Sequence, residues 1–220
     1  MSMLRLCQLV SPALPIGAYN FSQGLEYAVH MGWAHDEAST QDWILGVAEQ
    51  AAGTLDLPLL LRMHGAWSNG DVSDARYWST YLLASRETEE LRAEERHLGR
   101  SLAKVLVSLQ IEAAQEWVKD SDASYACLFA LAASQWQIER TQAAAAYLWA
   151  WCENQVLAAV KLLPLGQTAG QRILNELLQQ IPAIVERALL LVDDDIAVAA
   201  PVQSMASAWH ETQYTRLFRS

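Results

Sequence analysis

Apolar residues recur at three- and four-residue intervals along nearly the whole chain, while the two-residue alternation of a half-buried strand is scarce. Ala, Leu, Gln and Glu, which lose little freedom in a helix, outnumber the β-branched residues. Residues 3 to 10 read as a short apolar helix closed at Ser11-Pro12, because a proline pushes the residue before it out of the α region. The next stretch, SPALPIGAYNF over residues 11 to 21, holds two prolines and a glycine and excludes regular helix. Ser22 can cap a helix that turns Leu25, Ala28 and Val29 inward and ends at Gly32. Thr40 can cap the following one, with Trp43, Ile44 and Val47 as its buried face.

A break is expected at Gly53, then helix over 55 to 67 and a turn at Ser68-Asn69-Gly70-Asp71. Ser73 to Val118 reads as two helices meeting near the charged stretch Arg86 to Arg96. Ser121 and Asp122 start another helix through Leu131, and Thr141 caps a long one to about Leu163, ended by Pro164 and Gly166. Helices over 167 to 180, 182 to 192 and 202 to 211 complete the pattern. Ala143 to Ala146, Ala150, Ala158 and Ala159 give the long helix a surface that neighbours can approach closely, which suits a central position. The expected fold is all-α: a single compact multi-helix bundle of about eight to ten helices over residues 1 to 220, with 212 to 220 as a tail.

Composition agrees with such a bundle. At 220 residues, 52% hydrophobic and 18% charged, the chain can bury a sizeable core without staples. No apolar run is expected to reach the roughly 18 to 20 residues of a membrane span, since the stretch Ile181 to Val192 is interrupted by Pro182, Glu186 and Arg187. The opening MSMLRLCQLV lacks the basic leader, long apolar segment and small-residue cleavage site of a signal peptide. Cys7, Cys127 and Cys152 stand far apart in apolar settings, which suits reduced, buried thiols and a cytoplasmic location. A net charge of −10 and a pI near 4.9 disfavour nucleic acid as a ligand and could attract a basic partner.

Candidate chemistry fails position by position. Glu94 and His97 have the spacing of a carboxylate-bridged metal helix, but no second such pair exists, and Arg96 and Arg100 alongside suggest a solvated face. His210-Glu211 begins a zinc-protease motif whose second histidine position is Tyr214. Gly166 to Gly170 lacks the lysine of a phosphate loop, and the five histidines are scattered. Asp193, Asp194 and Asp195 offer the one rival reading, a helical enzyme with an acidic metal site, but Glu89-Glu90 and Glu94-Glu95, the other acidic pairs, lie among arginines. No catalytic residue, cofactor or metal site is assigned to the chain. Its work is expected to lie in holding other proteins.

Four segments carry a resemblance: LCQLVSPALPIGAYNFSQGLEYAV (residues 6 to 29), RETEELRAEERHLGRSL (86 to 102), YLWAWCENQVLAAVKLLPLGQTAGQRIL (147 to 174) and HETQYTRLFRS (210 to 220). Together they resemble the UreF family of urease accessory proteins, in that family's order and across nearly the whole chain. Asn20 stands where a serine is common, and Phe21 replaces another aromatic. The resemblance implies a non-enzymatic, all-helical, dimer-forming protein. Such a protein binds a UreD/UreH-type accessory protein, recruits the UreG GTPase and docks on apo-urease for GTP-dependent nickel insertion. Nickel would then be handled by the assembled complex rather than by a site in this chain. Whether the GTPase is activated or gated is left open.

Physical readings of the candidate partner-binding residues stand beside that resemblance. Tyr19 and Phe21, on a proline-fixed loop, either plug the bundle end or anchor a partner. Glu26 near a helix start and Lys161 near a helix end both suit the helix dipole. By the resemblance they also become candidates for a UreG-facing surface whose charge reversal should leave the fold intact. Tyr214, Arg216, Leu217, Phe218 and Arg219 close an acidic chain with a basic, aromatic tail, which either packs on its own bundle or orders on the UreD-type partner. The pairs Arg86–Glu90 and Glu89–Arg92 fall at helical spacing on a face read as mostly solvated.

Overall fold

The structure, a computed structural model, describes residues 1–196 and 200–220. Among them are ten α-helices and no strand: α1 (Ser2–Leu9), α2 (Leu25–His30), α3 (Glu37–Val47), α4 (Leu57–Ser68), α5 (Val72–Ser85), α6 (Glu89–Ser108), α7 (Tyr125–Gln135), α8 (Arg140–Leu162), α9 (Gln167–Leu190) and α10 (Pro201–His210). The all-α expectation is met. At the centre lies α7, in which every residue from Ala126 to Ala133 is buried. A helix apolar on all sides must be surrounded, and α4, α5, α6 and α8 pack around it. Trp67 bridges two of these layers: its indole N–H donates to the Cys127 carbonyl at 3.1 Å, and its ring meets that of Trp117 edge-on at 5.8 Å. The alanine-rich α8 buries Ala143, Ala144, Ala158 and Ala159 and lies against α9 and α4.

Two expected breaks are absent. Gly53 does not end a helix, because a π-helical segment, Ala48–Asp56, joins α3 to α4 in one rod. The glycine serves packing instead: a Cβ there would come within 2.9 Å of the Ile184 Cγ2 on α9. Pro182 lies inside α9 rather than between two helices. Its lost hydrogen bond, worth about 3 kcal/mol or more, is outweighed by burial of Ile181, Ile184, Val185 and Ala188. The continuous rod Glu37–Ser68 is long and apolar enough to span a membrane by composition, contrary to the expectation that no such run exists. Its apolar window is 72% buried inside the protein, as in a core helix.

Local choices of cap also differ from expectation. Asp36 caps α3 by accepting from the Ser39 N–H at 2.8 Å, while Thr40 is buried one turn in. Ser124 caps α7 in place of Ser121 or Asp122, and Glu139 caps α8 in place of Thr141. A cap needs extended backbone as well as a polar side chain, and the path of the incoming loop selects among neighbouring candidates. All three cysteines are free; Cys127 and Cys152 are buried, whereas Cys7 is exposed, contrary to the expected burial. Burial pushes both interior thiols up to about 12.

Candidate functional site

The most elaborate polar construction lies where residues 17–26, the start of α6, the end of α8 and the chain's last residues converge. Its backbone is strained at one step. Gln23 adopts φ of 53° and Gly24 φ of 86°, two consecutive left-handed residues that only glycine takes without cost. A side chain at Gly24 would also press on Ala206 and Ser207 of α10, at 3.1 Å. The strained turn aims the Gln23 amide at two partners: it donates to Glu94 at 2.8 Å and accepts from the Trp151 indole at 2.8 Å. Asn154 donates to the Phe21 carbonyl at 3.1 Å, tying the same loop to α8.

Into this frame the chain end is threaded like an added strand. The Arg219 N–H donates to the Asn20 carbonyl at 2.8 Å, and the Ser22 N–H donates to the Ser220 carbonyl at 2.9 Å. Glu26, only 7% exposed, accepts from the Leu217 N–H at 2.7 Å and the Phe218 N–H at 2.9 Å. The buried His210 ring lies between two carboxylates, with Nδ1 2.7 Å from Glu90 and Nε2 3.2 Å from Glu26. Arg216 closes the row by donating to Glu90 at 2.6 Å. Above it, the Glu211 carboxylate accepts from the Glu89 and Glu90 N–H groups, so α10 helps cap α6. Rings of Tyr27 and Trp209, 5.4 Å apart, seat α10 on α2.

Phe218 is buried among Leu25, Ala34, Ala158 and Ala159. Lys161 projects its ammonium over both Phe218 and Tyr19, at 5.6 and 5.7 Å from the ring centres. The structure therefore divides the candidate partner residues into two sets. Phe21, Glu26 and Phe218 face inward, while Tyr19, Lys161, Tyr214, Arg216, Leu217 and Arg219 are exposed. Glu26 is no surface charge: reversing it would break the bonds that hold the chain end. Tyr214 is fully exposed, and Leu217 is 64% exposed.

Beneath the loop of residues 11 to 19 lies a cavity of about 90 Å³, walled by Leu9, Leu14 and Ile16 and by three buried carboxylates, Asp56, Glu94 and Glu95. The charged stretch of α6 is thus only partly solvated. Arg86, outside α6 and largely shielded, bonds Asp56 and reaches Glu95 at 3.0 Å, so it forms neither the expected Arg86–Glu90 pair nor any exposed one. Glu90 is taken by His210 and Arg216, and Glu89–Arg92 is not among the ion pairs of the described residues. Burial raises the Glu94 carboxyl to about 7, against the hydrogen bonds from Gln23 and Ser220. Asp193, read as a candidate metal ligand, pairs with Arg62 at 2.6 Å. Among the described residues no three His, Cys, Asp or Glu side chains are grouped to hold a metal ion. His210 and Gln23 were missed from sequence, since neither has a partner nearby in the chain.

The described residues thus form an all-α bundle whose most developed polar network clamps its own chain end. Residues 34–178 match the family model for UreF. The chain is 50% identical over 216 residues to "Urease accessory protein UreF" of Alkalilimnicola ehrlichii, covering 98% of this chain and 95% of the relative. It is 43% identical over 220 residues to the protein of that name in Hahella chejuensis, covering 100% and 99%. With Chromohalobacter salexigens the figures are 46% over 215 residues, covering 98% and 93%. The chain belongs to the UreF family of urease accessory proteins.

Proposed function

We propose that this protein is a cytoplasmic scaffold for urease maturation. It links a UreD/UreH-type accessory protein, the UreG GTPase and apo-urease during GTP-dependent nickel insertion, and modulates the GTPase cycle. It works as a homodimer without catalytic residues, and nickel is cargo of the assembly. The observation that carries this reading is the clamped chain end. Glu26 and the burial of Phe218 hold it from beneath, leaving Tyr19, Lys161, Tyr214, Arg216, Leu217 and Arg219 outward on a fixed frame. Exposed aromatic and arginine side chains on a preorganised surface lose little freedom on binding and are common anchors of interfaces.

Co-purification of the full-length chain with the UreD-type and UreG-type proteins of its own source tests the proposal. A stable complex that carries the GTPase is expected. Lys161→Glu should weaken UreG recruitment and urease activation about tenfold, equivalent to about 1.4 kcal/mol, with helicity unchanged. A folded chain that binds neither protein would refute the scaffold reading.

A further inference from the structure

Part of the exposed surface around the chain end carries a charge opposite to that of the molecule. On α6, His97, Arg100 and Lys104 fall at i, i+3 and i+7 and so share one helix face over about 10 Å. Arg219 continues that face, because its backbone is bonded to Asn20 beside Phe21, whose ring lies 5.8 Å from His97. Partial burial, and after it the cations of Arg219, Lys104 and Arg100, hold the His97 imidazole below its ordinary value. Beyond Arg219 comes Phe218, and over its ring and that of the half-exposed Tyr19 sits Lys161. Segments remote in sequence (97–104, 161 and 219) thus build one basic stripe bordered by aromatic rings.

None of Arg100, Lys104, Lys161 or Arg219 is in an ion pair among the described residues. Arg100 is the most tempered of them, donating to the Asp120 carbonyl at 3.0 Å.

We propose that this stripe is the docking surface for an acidic segment of a partner protein, a short run rich in Asp and Glu. The inference deepens the scaffold reading and shares its Lys161 and Arg219, but its test does not depend on which partners that reading names. Charge complementarity selects the occupant. A short acidic segment matches the length of the stripe, whereas a long polyanion would run off it onto a surface of net charge −10. Contacts of this kind are exposed, so they act through steering and are screened by salt.

The test is fluorescence anisotropy of a labelled oligo-glutamate peptide with the full-length protein, against an oligo-lysine peptide and single-stranded DNA, at low and high salt. The glutamate peptide should bind, more weakly as salt rises, whereas any binding of the lysine peptide to the acidic remainder of the surface should not weaken in the variants below. The double variant Lys104→Glu/Arg219→Glu should lower its affinity at least about tenfold without moving the unfolding temperature, and Lys161→Glu should act in the same direction. Unchanged binding in the variants, no binding by the parent, or DNA binding tighter than the peptide would overturn the proposal. The complexes of the scaffold test separate the two ideas. A parent chain that binds the peptide but co-purifies with neither protein sinks the scaffold reading alone. A complex that forms with no peptide binding sinks the acidic segment alone.

Discussion

Replacing Glu26 by Ala should release the chain end. The carboxylate accepts two backbone N–H groups, from Leu217 and Phe218, and lies against His210 Nε2. Hydrogen bonds to a charged group contribute about 1.5 to 3 kcal/mol each, and removing one member of a buried charged network costs about 3 to 5 kcal/mol. The tail has an alternative, however. By detaching, it lets water satisfy Leu217 and Phe218, at the expense of re-exposing the Phe218 ring, about 2 kcal/mol. The loss should therefore settle near 3 kcal/mol, for a protein of this size a fall of about 6 to 12 °C in unfolding temperature if the tail unfolds with the bundle. Hydrogen exchange read by mass spectrometry distinguishes local release from global loss. In the Ala variant, amides of residues 217 and 218 should exchange about a hundredfold faster, while those of α7 change little. Glu26→Gln, which keeps one acceptor oxygen, should fall between. If residues 217 and 218 stay as protected in the Ala variant as in the parent, the carboxylate does not hold the tail.

Four further outcomes follow from the interior. Burial raises Glu94 from 4.5 to about 7, so between those values the native chain keeps a proton that the unfolded chain has lost. Its contribution to stability falls as pH rises across that window, and the penalty is complete above it. Glu94→Gln should therefore be up to about 3 kcal/mol more stable than the parent near pH 8 and close to equal near pH 4.5 by urea unfolding; an equal gap at both pH values would refute this. Gly99→Ala should cost about 3 kcal/mol or more, since its Cβ would lie 2.2 Å from the Ala123 carbonyl oxygen. Gly53→Ala should cost less, about 1 to 2 kcal/mol by the same measurement, because its Cβ meets the buried Ile184 methyl at 2.9 Å and the Ala48 carbonyl oxygen at 3.2 Å while gained helix propensity offsets part of the clash. Arg86→Met strips Asp56 and Glu95 of their cation, and a drop of about 3 to 5 kcal/mol in chemical denaturation is expected; a neutral result would mean that water reaches both carboxylates.

What the chain carries locally was enough for the helices. The 3.6-residue period and the good helix formers specify α1, α8 and the α5–α6 pair, and the four quoted segments pointed to the UreF family. The loop over residues 11 to 21 was legible for the same reason, because proline and glycine act on their own backbone. Tertiary packing decided the rest. Gly53 and Pro182 carry signals of a break, yet burial against neighbouring helices outweighs a local preference of a few kcal/mol. Glu94 and Glu95 look like solvated charges, because nothing nearby in sequence reveals that Arg86 turns inward with Asp56 or that Ser220 reaches Glu94. Glu26 and His210 are 184 positions apart. A hydrogen bond depends on distance in space, and only the folded bundle brings such residues to within bonding reach.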